Sequence, residues 1–402
     1  MKQHSPGMTS RGLRRGLLLV IVLAIMVAFS FVVLPADLAT NTTFPVGDNP
    51  AGIAVNPQNG KVYVVDSADN NVTVVDGRND KQIANITTGN DPDAVAVNPS
   101  TGTAYVANYF DSKVTVISGT TNEAVVNISV GETPDAIAIN PSTGTVYVSD
   151  FVDNNITVVN GATNKAIGNF SVGDYPDAIA VNPNTGNIYV ANSQSDTVSL
   201  VSNSTNKVVV NITVGDYPDA VAVNPNTGTV YVASARDNAV TVIKGYTVVG
   251  NLLVGNGPDA IAVDPNTGTV YVANFNSSTV SVLDGSNNEL LENVMVGKGP
   301  TSLAINPTTE MVYVSNYNDN TTSVFPGVAS SSTSDSMTST STTSSSTTPT
   351  SSVAATITSS SSSTSSSGGV PEFTPQLGIA SVVSAFIVVA YVIARRAAPA
   401  NR

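Results

Sequence analysis

The stretch Pro176–Asn192 reads P-D-A-I-A-V-N-P-N-T-G-N-I-Y-V-A-N, and it recurs along most of the chain. Near-copies begin at Pro50, Pro92, Pro134, Pro218, Pro258 and Pro300, giving seven units with steps of 42, 42, 42, 42, 40 and 42 residues. Self-similarity at a period of about 40 residues defines a repeat architecture. A unit of that size cannot bury its own apolar faces, so neighbouring units must cover them.

Each unit holds four short apolar runs separated by turn residues. In the fourth copy these are Ala178–Val181, Ile188–Ala191, Val198–Val201 and Val208–Val214. Between the first two lies Asn182-Pro183-Asn184-Thr185-Gly186, where Pro fixes φ and Gly accepts a positive φ. Runs rich in Val, Ile, Thr and Tyr and bounded by Gly, Pro and Asn read as strands. No segment within Thr40–Phe325 keeps helical apolar periodicity for three turns. Each unit is therefore expected to be a four-stranded antiparallel meander.

Packing such blades radially around an axis buries their faces and leaves only short edges. Ala178 and Ala180, like Ala94, Ala96, Ala220 and Ala222, are small enough for the crowded axial position. Both Tyr189 and Val190 can then be buried, because every blade has a neighbour on each side. Seven repeats predict an all-β, seven-bladed propeller. The seventh unit ends after its third run, Ser323–Phe325, whereas Asn41–Gly47 matches the fourth-run text Asn127–Gly131. The N-terminal strand is expected to complete the last blade and close the ring.

Tyr-Val-Ala-Asn at Tyr105–Asn108, Tyr189–Asn192 and Tyr271–Asn274 resembles the Tyr-Val-Thr-Asn β-propeller repeat of archaeal and bacterial surface-layer proteins. The resemblance covers about Thr40–Phe325 and departs from the family at the third position, which is Ala, Ser or Val here. It implies the propeller fold and a cell-surface setting. It says little about activity, because propellers host binding proteins, lyases, lactonases and redox enzymes alike.

The flanks divide the chain into segments 1–39, 40–327, 328–370 and 371–402. Lys2, Arg11, Arg14 and Arg15 precede the apolar run Leu17–Leu34, the pattern of a secretory signal that is also long enough to stay as an anchor. Segment 328–370 is nearly all Ser and Thr; it is too polar to bury a core and reads as an extended, O-glycosylated stalk or a plain linker. Pro371, Glu372 and Phe373 open the last segment, before the apolar run Leu377–Ala394 and Arg395-Arg396. This tail resembles the PEF-type archaeal sorting signal; the alternative is a plain membrane anchor with its arginines in the cytoplasm. Either reading places the propeller outside the cell. Export gives meaning to the Asn-x-Ser/Thr triplets at Asn41, Asn71, Asn85, Asn127, Asn155, Asn169, Asn203, Asn211, Asn276 and Asn320. Asn85, Asn127, Asn169 and Asn211 are expected at the start of the outermost strand.

The net charge of −13 argues against a nucleic-acid partner, and a chain without cysteine has no thiol chemistry. The single histidine, His4, lies upstream of the apolar run, so imidazole-based hydrolysis or zinc binding is not available to the repeats. Carboxylates remain. Asp93, Asp135, Asp177, Asp219 and Asp259 occupy one repeat position in blades two to six, just before the innermost run, with Ala51 and Thr301 in blades one and seven. Clustered at one mouth of the axial channel they would suit Ca²⁺; the competing reading is that each accepts backbone N–H bonds and holds its turn.

Non-repeating aromatics concentrate in the connections that emerge at that same end: Tyr175 and Tyr217 between fourth and first runs, and Tyr109, Phe110, Phe151, Phe275 and Tyr317, with Arg236, between second and third. Exposed aromatics among polar neighbours suit protein or carbohydrate recognition; rings that merely cover blade junctions would look the same in sequence. Together these readings point to a non-enzymatic cell-surface propeller, with cell-envelope proteins or glycans as partners and no cofactor. The alternative is a lactonase-like or quinone- or metal-dependent propeller enzyme that uses the aspartates.

Overall fold

In the computed structural model, which describes residues 41–328, the repeat appears as seven four-stranded antiparallel sheets. Each unit forms one blade, numbered here one to seven from Pro50 onward, with its strands counted outward from the axis. In blade four these are Pro176–Val181, Ile188–Asn192, Thr197–Ser202 and Lys207–Thr213. First strands adjoin the first strands of both neighbouring blades all the way round, from blade one to seven and back to one.

Side-chain alternation in the middle strands decides how blades pack. On one face of blade four, Tyr189, Ala191, Val198 and Leu200 meet Val221, Val230, Val232 and Ile243 of blade five. On the other face, Ile188, Val190 and Val201 meet Tyr147, Ile156 and Val158 of blade three. Every residue of Ile188–Asn192 is buried, as the two-sided pattern required. Seven such clusters, one at each junction, make up the core.

The repeated tyrosine also latches blades together. From the second strand it reaches the hairpin between third and fourth strands of the next blade: the hydroxyl of Tyr105 donates to the Gly161 carbonyl at 3.2 Å, and that of Tyr231 to Gly285 at 3.1 Å. In blade one the Lys61 ammonium takes both acceptors instead, donating to the Gly119 carbonyl (2.7 Å) and to Asn122 Oδ1 (2.9 Å). The Tyr63 hydroxyl beside it is buried without a hydrogen-bond partner.

The ring closes as the sequence predicts. Thr42–Pro45 pairs antiparallel with the third strand of blade seven, Thr321–Pro326, and becomes its fourth strand. Phe44 enters the junction between blades seven and one, packed with Ile53, Val62, Val64 and Tyr313. Polar contacts reinforce the seam: Tyr313 donates to the Gly77 carbonyl at 3.0 Å, and Thr301 Oγ1 donates to the carbonyls of Pro50 and Ala51, both at 3.0 Å. At the outlet, the Val328 N–H donates to the Tyr271 hydroxyl and its carbonyl accepts from Thr269. The chain therefore leaves beside the Asn-Pro-x-Thr-Gly turns, at the end opposite the second-to-third connections.

Among the described residues no helix is long and apolar enough to cross a membrane. The N-terminal apolar run, the Ser/Thr-rich segment beyond Val328 and the tail with Pro371, Glu372 and Phe373 lie outside the described residues.

If the seam carries the closure, Phe44→Ala should destabilise the propeller by ~3–5 kcal/mol, the usual cost of emptying a buried aromatic site. Tyr313→Phe, which removes only the latch hydroxyl, should cost ~1 kcal/mol. Urea unfolding midpoints at constant slope would read both; a Phe44→Ala loss below that of Tyr313→Phe would show that the ring does not depend on this strand.

Candidate binding mouth

One end of the propeller is organised by backbone hydrogen bonds that repeat sevenfold. The residue after each second strand donates its N–H to the carbonyl of the residue that precedes the blade's first proline. The pairs are Ser67 to Asn49, Tyr109 to Asp91, Phe151 to Thr133, Ser193 to Tyr175, Ala235 to Tyr217, Phe275 to Gly257 and Tyr317 to Gly299, all between 2.8 and 3.1 Å. A second series holds the same turns through side chains: Asp69, Asp111, Asp153, Asp237 and Asp319 each accept a backbone N–H 21 residues upstream, with Ser195 and Ser277 in the other two blades.

Within that fixed frame the side chains follow a rule that the linear text hides. In blades two to seven one member of each pair is aromatic and the other is small or polar: Tyr109, Phe151, Tyr175, Tyr217, Phe275 and Tyr317. Blade one has Asn49 and Ser67. Six blades thus each place a ring at one of these two positions, and blade two adds Phe110 next to it. Tyr175 and Tyr217 do so at φ of 54° and 58°, a left-handed conformation that bulky residues rarely adopt and that glycine supplies in blades six and seven.

The rings make contacts across blades. Phe151 of blade three stacks on Tyr175 of blade four, with centroids 4.7 Å apart and planes within 7°. Tyr109 and Phe110 meet edge to face at 5.2 Å. The Arg236 guanidinium sits 4.6 Å above the Tyr217 ring and 3.3 Å from Asp216. Tyr317 reaches over the gap at blade one. Its hydroxyl is pushed above the ordinary tyrosine range by burial and by the Asp91 and Asp93 carboxylates of blade two, while hydrogen bonds with Ser67 and Asn49 pull it back. Exposure varies round the mouth: Phe110 is 60% exposed and Tyr175 38%, whereas Tyr109 and Tyr217 are buried. Val152, beside Phe151, is also exposed and escaped the sequence reading.

The five repeated aspartates sit at the start of the first strands. In blades two, four, five and six the register against the second strand slips at that residue, so each Asp is the extra residue of a β-bulge. A bulge re-aims a side chain away from the ladder. Asp135, Asp219 and Asp259 are buried and Asp93 and Asp177 half-buried. Among the described residues, no three His, Cys, Asp or Glu side chains are gathered closely enough to hold a metal ion. The aspartates stand one to a blade.

Two other acids, which the sequence reading missed, are buried outright. The last residue of the second strand is Asn in four blades, Asp66 and Asp150 in two, and Ser234 in one. Asn108 shows the common arrangement: Oδ1 accepts the Gly89 N–H at 3.0 Å and Nδ2 donates to Thr115 Oγ1 at 2.9 Å. With Asp the second bond is reversed, and Thr73 and Thr157 donate to Asp66 and Asp150 at 2.7 Å. Burial pushes Asp66 up to about 7 and Asp150 to about 6, against the lowering effect of those bonds. Aligning the seven copies would have shown the substitution; only burial shows its consequence.

The sequons separate by environment. Asn85, Asn127, Asn169 and Asn211 are exposed on the outer strands. They lie toward the ends of those strands and not at their starts, because each outer strand begins several residues earlier, at Lys81, Ala124, Lys165 and Lys207. Asn276 is exposed at the mouth, and the exposed Asn41 donates its amide to the Met295 carbonyl. Asn71 and Asn155 open third strands and are half-buried, with Oδ1 enclosed. Asn203 accepts from Tyr147, and Asn320 accepts the Asn49 N–H while donating to Asp48.

A family model described as lactonase, 7-bladed beta-propeller matches residues 247–356, about a quarter of the chain. Among solved structures, Kuenenia stuttgartiensis hydrazine synthase is similar over 74% of this chain and 99% of that one, with a TM-score of 0.65 and 21% identity. No curated protein matches the sequence. The family description names a seven-bladed propeller, and the structural likeness, at 21% identity, speaks for fold alone.

Because the carboxyls of Asp66 and Asp150 bind a proton more tightly folded than unfolded, the stability they contribute is complete below about pH 4 and is lost as pH rises through 6 to 7. Asp66→Asn with Asp150→Asn, which restores the arrangement of Asn108, should raise stability at pH 8 by several kcal/mol and change little at pH 4. Chemical denaturation at both pH values checks this; an equal effect at both would show that the two acids are already ionised in the fold.

Proposed function

We propose that the chain is an exported, cell-surface binding propeller whose aromatic mouth takes a glycan or a protein of the cell envelope. One observation carries the reading: six of seven blades each place an aromatic ring at one of two structurally paired positions at the same end, while the backbone around them stays constant. A ring requirement imposed only by packing would use one position throughout, as the latch tyrosine does in all seven blades. Tyr175 and Tyr217 hold theirs at a left-handed turn position that Asn49, Asp91, Thr133, Gly257 and Gly299 occupy in the other blades. Flat rings beside carboxylates and amides match the apolar faces and hydroxyls of a sugar.

The flanks support the setting. Leu17–Leu34 fits an export signal or anchor, the Ser/Thr-rich segment fits a stalk, and the Pro371-Glu372-Phe373 tail fits membrane attachment or sorting.

The lactonase family match favours a second reading, hydrolysis of a lactone at the same mouth with Asp177 or its counterparts as ligands of an added cation. Against it stand the absence of histidine after His4 and the separation of the aspartates.

Glycan-array and envelope-fraction binding should be retained by the wild type and weakened tenfold or more by Phe110→Ala and by Tyr175→Gly. The glycine variant should keep its stability to within ~1 kcal/mol, since relief of the left-handed strain offsets the lost stacking. Wild-type binding to neither glycans nor envelope proteins would overturn the proposal. Turnover across a lactone panel with added Ca²⁺, lost in Asp177→Asn, would establish the enzyme instead.

A further inference from the structure

The rim of the propeller is a series of seven edge strands, and one of them differs from the rest. Five contain or directly follow a sequon, at Asn41, Asn85, Asn127, Asn169 and Asn211. A sixth, Glu289–Met295, carries Glu289 and Glu292. The outer strand of blade five, Thr247–Leu253, reads T-V-V-G-N-L-L and has neither sequon nor charge.

The same blade holds the one irregular step of the repeat. Its unit is 40 residues long instead of 42, and the missing pair comes from the hairpin before this strand, shortened to Gly245-Tyr246 between Lys244 and Thr247. The shortening leaves Tyr246 65% exposed at the head of the strand; Val249 is 52% exposed and Leu253, at its foot, 77%, the highest value for a large apolar side chain among the described residues. Edge strands are normally guarded by charge, proline or a covering element, since their free N–H and C=O groups invite another strand. The bulge in this strand is shared with the outer strands of blades one to six and so does not set it apart.

We propose that Thr247–Leu253 is the contact through which the propeller pairs with a second copy of itself, edge to edge and antiparallel, about a two-fold axis near Gly250. The strand is self-complementary in that arrangement. Antiparallel pairing about Gly250 sets the Leu253 of each copy opposite the Thr247 of the other, one residue from its Tyr246, so the apolar groups at the two ends lie side by side. The same operation on Glu289–Met295 would set Glu292 against Glu292. On the four blades with Asn85, Asn127, Asn169 and Asn211, a glycan would stand on the strand itself. Among the described outer strands only that of blade five lacks both a sequon and a charge, and the pairing does not depend on what the mouth binds.

The chain has no cysteine, so a single introduced one reports the contact directly. Gly250 is suited to it: a Cβ there meets nothing within 4 Å. Full-length Gly250→Cys in detergent should form a disulfide-linked dimer on mild oxidation, because facing residues of an antiparallel pair lie about 4.5–5.5 Å apart, within disulfide range. Val126→Cys, the corresponding position in blade two, should stay monomeric. In sedimentation velocity the wild type should run as a dimer, and Val249→Lys should weaken dimerisation tenfold or more with an unchanged melting temperature. A wild type that is monomeric up to its solubility limit, or equal cross-linking at both cysteines, would overturn the proposal. So would a monomer that floats with phosphatidylcholine vesicles and loses this with Val249→Lys, which would assign the strand to lipid.

Discussion

No blade of this propeller can bury both faces of its middle strands, so the fold depends on each blade being covered by the next without a break. Seven apolar clusters, each shared by two blades, meet that demand, and six of them are joined by continuous chain. The seventh joins strands at opposite ends of the described chain. There Phe44 fills the junction, Thr42–Pro45 completes the sheet, and Tyr313 and Thr301 bond across to blade one. An open solenoid with the same repeats would leave one apolar face at each end in water; closure removes both. Loop-closure entropy grows slowly with length, so joining strands more than 270 residues apart is a modest cost against a buried junction.

That closed frame frees the mouth to vary. Its turns are held by backbone pairs and by the Asp69–Asp319 series, which bind main chain. The aromatic positions can therefore change from blade to blade without disturbing the core. The choice between the two ring positions varies from blade to blade where the shared left-handed turn is the same in all seven. The repeated aspartates, by contrast, are spread one to a blade in bulges beneath the rings.

The buried acids show how a single atom changes the energetics of a repeat. Replacing the amide nitrogen of Asn by a carboxylate oxygen keeps the shape and reverses one hydrogen bond, so Thr73 and Thr157 donate where Thr115 accepts. What changes is the cost of ionisation at a position with no exposed surface. Blades one and three thereby acquire a proton linkage that their neighbours with Asn108, Asn192, Asn274 and Asn316 lack.

Much of the fold was legible in the sequence. Strict spacing of Pro, Asn-Pro-x-Thr-Gly and Tyr-Val determines strand, turn and period, because each rests on local backbone geometry and on alternation along one strand. The match between Asn41–Gly47 and Asn127–Gly131 even foretold the closing strand, and the aromatics were placed at the correct end by counting antiparallel connections. The rest needed three dimensions. That Tyr175 does for blade four what Phe151 does for blade three is invisible until the two positions are seen bonded through Ser193 and Thr133. That Lys61 displaces the Tyr63 latch, or that Leu253 stands in water while Leu252 packs inward, depends on which blade lies alongside. Periodicity is a property of one segment, and the chain states it directly. Burial is a relation between segments, and only the closed ring decides it.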